Sequence, residues 1–236
     1  SFILNQELQT FTYRTKFKSF RVGDTHIQIN STHITDSLKS KSNKIITIET
    51  TGKKWIDLIY KLRHYSTILI NQDNFSLLGV TQKVQQGNYI NSYSATVNYD
   101  KKNIAYYNLK NLKQKDNTEA LLFPIDSLVY DPFGIVYYLQ NLELNIGQQY
   151  FFTSYSNTTI KPIKLYVLKK EFIKTPYIKT MCYLVVPQSE NNESLLKNKG
   201  EMKIWYTADS QQMPIKIQQK MKHGIMELVL TNYVEK

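Results

Sequence analysis

The chain has 236 residues, a formal net charge of +11 and an isoelectric point near 9.4. That length suffices for one large β domain or two small ones, and a hydrophobic content of 42% supports a substantial core. With 8 Gly, 6 Pro and a single Cys, the composition excludes a collagen-like or low-complexity chain, an intrachain disulfide and a cysteine-rich metal site.

The 18 Tyr and 10 Phe suit pleated surfaces, so a β-rich protein is expected. In chain order, residues 8–17 alternate Phe11, Tyr13, Thr15 and Phe17 against Thr12, Arg14, Lys16 and Lys18, the pattern of a half-buried strand. A break at Gly23-Asp24 precedes a second strand from Thr25, and the polar residues 36–44 read as a loop before a third strand. The period then changes. Trp55, Leu58, Ile59 and Leu62 are spaced i, i+3, i+4, i+7, which predicts a short amphipathic helix, with Asp57 and Lys61 paired on its other side. Residues 65–108 return to the β pattern in four strands, broken at Asn71-Gln-Asp-Asn and Gly87-Asn. The polar residues 110–119 form a linker between two subdomains or a long surface loop.

A second helix is marked by Asp131 as N-cap and Pro132 at the first helical position. The residues after it are apolar nearly all round, which predicts a buried helix. Gly147 opens a further β region, with strands expected over 150–155, 163–172 and 177–186, then a polar loop over 188–200. The last 36 residues read as three adjacent antiparallel strands. A turn at His223-Gly224 would set Met221 opposite Met226, Ile217 opposite Leu230 and Lys220 opposite Glu227, with one face apolar.

Several of these stretches carry a resemblance. Tyr130-Asp-Pro-Phe-Gly-Ile-Val-Tyr-Tyr-Leu resembles an Asp-Pro-x-x-x-x-x-Tyr-Tyr-Leu signature, and Leu142-Glu-Leu-Asn-Ile-Gly-Gln-Gln-Tyr continues it. Lys169-Lys-Glu-Phe-Ile-Lys-Thr-Pro, Gly200-Glu-Met-Lys-Ile-Trp-Tyr-Thr-Ala-Asp and Gly224-Ile-Met-Glu-Leu-Val-Leu-Thr-Asn-Tyr follow in order. Phe20-Arg-Val-Gly, Trp55-Ile-Asp-Leu-Ile-Tyr-Lys-Leu-Arg-His and Gln85-Gln-Gly-Asn-Tyr extend the likeness into the first half. Over roughly residues 8–233 the chain resembles the bacterial domain-of-unknown-function family 3108. One departure is Tyr177, where the family has Gly after Thr-Pro. The resemblance implies an exported envelope protein, typically periplasmic, with no known activity and no catalytic residues to carry over. It also implies a large curved antiparallel sheet.

The residues offer little chemistry. His26, His33, His64 and His223 lack metal-ligand spacing, and Cys182 sits in an apolar strand as a small buried hydrophobe. No phosphate-binding loop and no Gly-x-Ser-x-Gly elbow occurs. Asp131 and Asp209 have local work as helix cap and turn former. No catalytic residue, metal or cofactor is therefore expected, and the protein is read as non-enzymatic. Arg14, Arg21 and Arg63 are the only arginines, which argues against a specific nucleic-acid reader and for a solvated lysine surface. No run approaches 18 apolar residues, so no transmembrane helix is expected.

Trp55, Tyr60, Tyr137, Tyr138, Trp205 and Tyr206 remain as candidate ligand-binding residues. On a curved sheet they either line a pocket for an apolar tail or pack helix against sheet. The expected architecture is mainly β (α+β): one large curved antiparallel sheet or partly closed barrel with two short helices packed on it. It is taken as a single domain over 1–236, with two subdomains meeting near 109–120 as the variant. The leading functional expectation is an exported scaffold for an apolar or amphiphilic ligand, or for a partner protein of the envelope. The alternatives are an electrostatic binder of anionic lipid, lipopolysaccharide or polysaccharide, and an enzyme of unrecognised type.

Overall fold

The computed structural model describes residues 7–36, 39–57, 61–110, 119–188, 202–221 and 224–236. Their strands are β1 (Leu8–Phe17), β2 (Phe20–Asp36), β3 (Lys39–Gly52), β4 (Leu62–Asn71), β5 (Leu77–Gln86), β6 (Tyr89–Asn98), β7 (Asn103–Asn108) and β8 (Leu121–Pro124) in the first half. The second half contributes β9 (Val129–Tyr130), β10 (Gln149–Ser156), β11 (Thr159–Lys174), β12 (Lys179–Gln188), β13 (Met202–Thr207), β14 (Pro214–Met221) and β15 (Gly224–Glu235). Two helices, α1 (Lys54–Asp57) and α2 (Pro132–Leu139), complete the described elements.

All 15 strands belong to one sheet in the order β8-β7-β6-β5-β4-β3-β2-β1-β15-β14-β13-β12-β11-β10-β9. Every neighbour is antiparallel except the short β9, which runs parallel to β10. The order is a meander that starts at β8, passes through the chain termini at the β1–β15 pair and finishes at β9. The two edge strands are thus consecutive in the chain, separated only by residues 125–128. A sheet this long must twist and curl. Here it curls until its ends touch, because side chains of β6 and β7 bond the turn after β10. Asn157 donates its N–H to Tyr93 Oη at 3.1 Å, and Tyr106 Oη donates to Asn157 Oδ1 at 3.3 Å. The curved antiparallel architecture matches the sequence expectation, closed by side chains instead of a backbone ladder.

Alternation sorts each strand's residues onto the concave or the convex face. Phe11 and Tyr13 of β1, Ile27 and Ile29 of β2, Ile46 and Ile48 of β3 and Ile68 and Ile70 of β4 are all buried on the concave side. Toward the end away from the chain termini the interior turns polar, and its hydroxyls satisfy one another. Thr15, Thr25 and Thr50 are buried and linked in series at 2.7 and 2.8 Å.

Four details differ from the sequence reading. Gly23 is no break: it pairs with Gly52 inside β2, at a crossing so close that a Cβ would lie 2.3 Å from Thr51 O. The polar residues 39–44 are strand, because β2 and β3 form one long hairpin with Asp36 opposite Lys39. The first helix is only Lys54–Asp57; Leu62 is the buried first residue of β4, and residues 58–60 lie outside the described residues. The closing hairpin is shifted by two residues, with Met221 opposite Gly224, Ile217 opposite Leu228 and Gln218 opposite Glu227. An even shift keeps every side chain on its face and changes only its partner. Lys216 then reaches Glu227 diagonally at 3.2 Å.

Candidate functional site

The concavity of the sheet is occupied by the protein's own helix. Asp131 caps α2 in extended geometry, its Oδ1 accepting from Phe133 N at 2.8 Å and Gly134 N at 3.4 Å, and Pro132 follows at the first helical position. The next residues are almost all apolar, and Gly134, Ile135, Val136, Tyr137 and Leu139 are buried. A helix without a polar face can be stable only when surrounded. Its contacts come from strands far apart in the sheet. Tyr137 Oη lies 3.3 Å from Tyr13 Oη of β1, Tyr206 Oη of β13 donates to Val136 O at 2.7 Å, and Gly134 packs near Ile70 of β4. Tyr138 stacks between Tyr130 and Phe75 and meets Phe152 of β10 edge-on. Burial raises the Tyr137 and Tyr206 phenols and lifts the Asp131 carboxyl to about 6, against the two N–H groups that favour its charge.

The six aromatic candidates therefore divide. Tyr137, Tyr138 and Tyr206 converge on α2, where they fill the concavity. Trp205 faces the convex side, its Nε1 donating to Glu171 at 2.6 Å with Lys216 Nζ 4.8 Å above its ring. Hydrogen bonds from Lys169 and Trp205 hold the Glu171 carboxyl below its usual range. Trp55 sits on α1 with 54% of its surface exposed, and Tyr60 lies outside the described residues.

Space opens where α2 ends. Gln140 Nε2 donates to Gln211 O at 3.2 Å, and Gln212 Nε2 donates to Gln140 O at 3.1 Å and Leu142 O at 2.5 Å. These bonds stitch the segment after α2 to the β13–β14 turn. That turn is organised by Asp209, whose Oδ1 accepts from Thr207 Oγ1 and from the N–H groups of Gln211 and Gln212. Between these pieces and the β1–β15 pair lies a cleft of about 550 Å³. Its walls carry the amides of Gln9, Gln140, Asn141, Gln211 and Gln212, the carboxylates of Glu143, Asp209 and Glu235, and the Tyr233 phenol. No Lys or Arg is among the described residues lining it, in a chain of net charge +11. Gln9 Nε2 and Tyr233 Oη both bond Glu235, at 3.3 and 3.0 Å. Burial and the Glu235 carboxylate raise the Tyr233 phenol to about 12, with Tyr177 adding a smaller push. A side recess of about 120 Å³ shares Gln9, Gln140 and Asn141 and ends on Lys44 and Phe75, with Lys44 Nζ 5.0 Å above the ring. Desolvation lowers the Lys44 ammonium.

Periodicity could not find this cleft, because its lining comes from a helix C-terminus, a turn and two strand ends. The only signal was the pair of amide-rich stretches Gln140-Asn141 and Gln211-Gln212. Beside the cleft the β11–β12 hairpin runs past β13. Phe172 lies opposite Met181 there, 63% and 44% exposed, and Ala208 N–H bonds Met181 O at 2.9 Å next to Asp209.

Cys182, His26 and His64 lie outside the cleft. Cys182 is fully buried, with its thiol raised to about 12. His64 bonds Gln82 at 2.9 Å and is lowered to about 4 by burial. His26 bonds Thr12 at 3.2 Å. His33 and His223 are not among the residues whose side chains are described. Among the described residues no three His, Cys, Asp or Glu side chains stand together as a metal site, and no helix is long and apolar enough to cross a membrane.

Comparison with known proteins agrees with this architecture. The model of a family described as "Protein of unknown function (DUF3108)" matches residues 12–231. The crystal structure of a β-barrel-like protein of domain of unknown function DUF1849 from Brucella abortus is similar over 99% of this chain and 100% of that one, with a TM-score of 0.55 and 6% identity. A search of curated proteins finds no match.

Proposed function

The chain belongs to the DUF3108 family of proteins of unknown function, and from that premise we propose that it is a non-enzymatic binding scaffold of the bacterial envelope. Its ligand is an amphiphile held at the open end of the barrel. The observation that carries this reading is the division of space. The concavity, where an apolar ligand would otherwise sit, is filled by α2, while the 550 Å³ cleft at the mouth is polar and borders an exposed apolar hairpin. Amides and carboxylates both accept hydrogen bonds, and the amides also donate, which suits a head group rich in hydroxyls. No Lys or Arg among the described residues lines the cleft, which disfavours a phosphate head. Phe172 and Met181 offer the apolar ledge for a tail. Export to the periplasm is part of the same reading and rests on the family resemblance.

The test uses dodecyl maltoside below its micelle concentration, titrated calorimetrically, with maltose as the tail-less control. Saturable binding of the detergent, weakened by Tyr233→Ala at the cleft and by Phe172→Ser at the ledge, is expected. Absence of saturable binding, or binding indifferent to both substitutions, overturns the reading.

A further inference from the structure

The opposite end of the barrel carries a different chemistry. Because neighbouring strands alternate direction, the β1–β2 turn, the end of β14, the start of β15, α1, the β5–β6 turn and the end of β7 all fall there. Backbone bonds join them edge to edge. Lys18 N–H donates to Ile225 O at 3.1 Å, Lys53 N–H to Val22 O at 2.9 Å and Gly87 N–H to Lys61 O at 2.8 Å. Lys110 closes the series, with its Nζ 5.7 Å above the Tyr89 ring.

Along this rim large apolar side chains stand in solvent: Phe20 is 72% exposed, Tyr89 56%, Trp55 54% and Ile225 46%. Lys18, Lys54, Lys61 and Lys110 alternate with them and are exposed. Arg21 on the same rim is neutralised by Asp24 at 2.8 Å. Among the residues whose side chains are described, the rim is net positive.

We propose that this rim docks the protein on an anionic lipid surface. Aromatic side chains favour the membrane–water interface, and lysines beside them gain from the negative surface potential of acidic headgroups. Neither element alone makes that combination. A soluble polyanion would engage the lysines but gains nothing from Phe20 and Ile225, which a bilayer surface would cover. This docking is independent of the cleft, which lies at the other end and would be left open to the aqueous side.

The chain reports on its own docking, because it has only two tryptophans, and Trp205 is 6% exposed whereas Trp55 lies on the rim. Vesicles of phosphatidylcholine, with and without phosphatidylglycerol, are mixed with the protein, and co-sedimentation is measured together with tryptophan emission. Binding and a blue shift are expected with the acidic vesicles only, falling steeply with added salt. Removing Lys54 or Lys61 by substitution with Gln weakens binding by about fivefold each. Phe20→Ser weakens vesicle binding and leaves any binding of dextran sulfate unchanged, whereas Tyr233→Ala in the cleft leaves vesicle binding intact. Equal binding to neutral vesicles, no binding to acidic ones, or indifference to Phe20→Ser overturns the proposal. So does a soluble polyanion bound as tightly as the acidic vesicles.

Discussion

Asn157 and Tyr93 face each other across the seam of the barrel, the backbone N–H of Asn157 donating to the phenol oxygen at 3.1 Å. One residue thus does what a strand pair does elsewhere in the sheet. Its Oδ1 also accepts from Tyr106 Oη and Asn91 Nδ2, both at 3.3 Å, and its backbone sits at φ 57, a region that Asn tolerates well. Asn157→Ala removes the acceptor and strains the turn, and about 1–3 kcal/mol of stability should go with it. Asn157→Gly keeps the backbone freedom and isolates the loss of the amide. Urea unfolding measures the cost. Amide exchange in β7 and β10 should rise above that of β1 and β15, and uniform exchange across the sheet would mean that the seam does not depend on this residue.

Two glycines should respond oppositely to the same added methyl. At Gly23 a Cβ would lie 2.3 Å from Thr51 O, so β2 and β3 must part, and Gly23→Ala should cost about 2 kcal/mol or more. At Gly134 the nearest atoms to a Cβ are 3.8 Å away, ordinary contact distance, and the helix interior favours Ala. Gly134→Ala should therefore stabilise by about 0.5–1 kcal/mol. Thermal melts of the two variants decide it. A destabilised Gly134→Ala would mean that α2 has no room within the sheet.

Where local chemistry suffices, the sequence was legible. The alternation of Phe11, Tyr13 and Thr15 placed β1 correctly from Leu8 to Phe17, and Asp131-Pro132 placed the start of α2. The apolar character of α2 on all sides signalled burial, although not that the sheet would wrap around it; that depends on strand order, which no local pattern encodes. Gly23 misled because a glycine required by close strand crossing looks the same in sequence as one that ends a strand. In the last hairpin, alternation fixes the faces while an even shift leaves partners undetermined, so the charge partner expected for Lys220 is held by Lys216. Residue type alone marks the aromatic candidates, and type does not distinguish Trp55 on the rim from Tyr206 in the interior. The cleft was not legible, because Gln9, Gln140, Gln212 and Tyr233 come from four separate elements.

Cys182 provides a probe of opening that needs no introduced label. It lies fully buried on β12, opposite Thr207 of β13, and burial together with the nearby Asp209 and Glu171 raises its thiol to about 12. Only the thiolate reacts readily with disulfide reagents. Labelling by a chromogenic disulfide at neutral pH should be negligible in the folded protein and should follow the unfolding transition in urea. Prompt labelling in the absence of denaturant would show that β12 and β13 separate in the native state.

Asp131 makes the stability of the barrel depend on pH in an unusual direction. An Asp carboxyl ordinarily titrates near 3.8, and here burial lifts it to about 6. The folded chain therefore binds this proton more tightly than the unfolded one. Its contribution to stability is fully present below about pH 4, declines between about pH 4 and 6, and is flat above. About two pH units of separation correspond to about 3 kcal/mol. Other carboxylates act in the opposite sense, Glu171 among them, since its carboxyl is held low by Lys169 and Trp205. The effect of Asp131 is accordingly read as a difference from Asp131→Asn. Asn is as good an N-cap as Asp and has no charge to desolvate, so the capping bonds to Phe133 and Gly134 are retained. Urea unfolding of both proteins from pH 4 to 7 should show the Asn variant gaining on the native chain by about 3 kcal/mol over that range. A constant difference would mean that the carboxylate is solvated or compensated in the folded barrel, and that α2 begins in a wetter interior than its packing indicates.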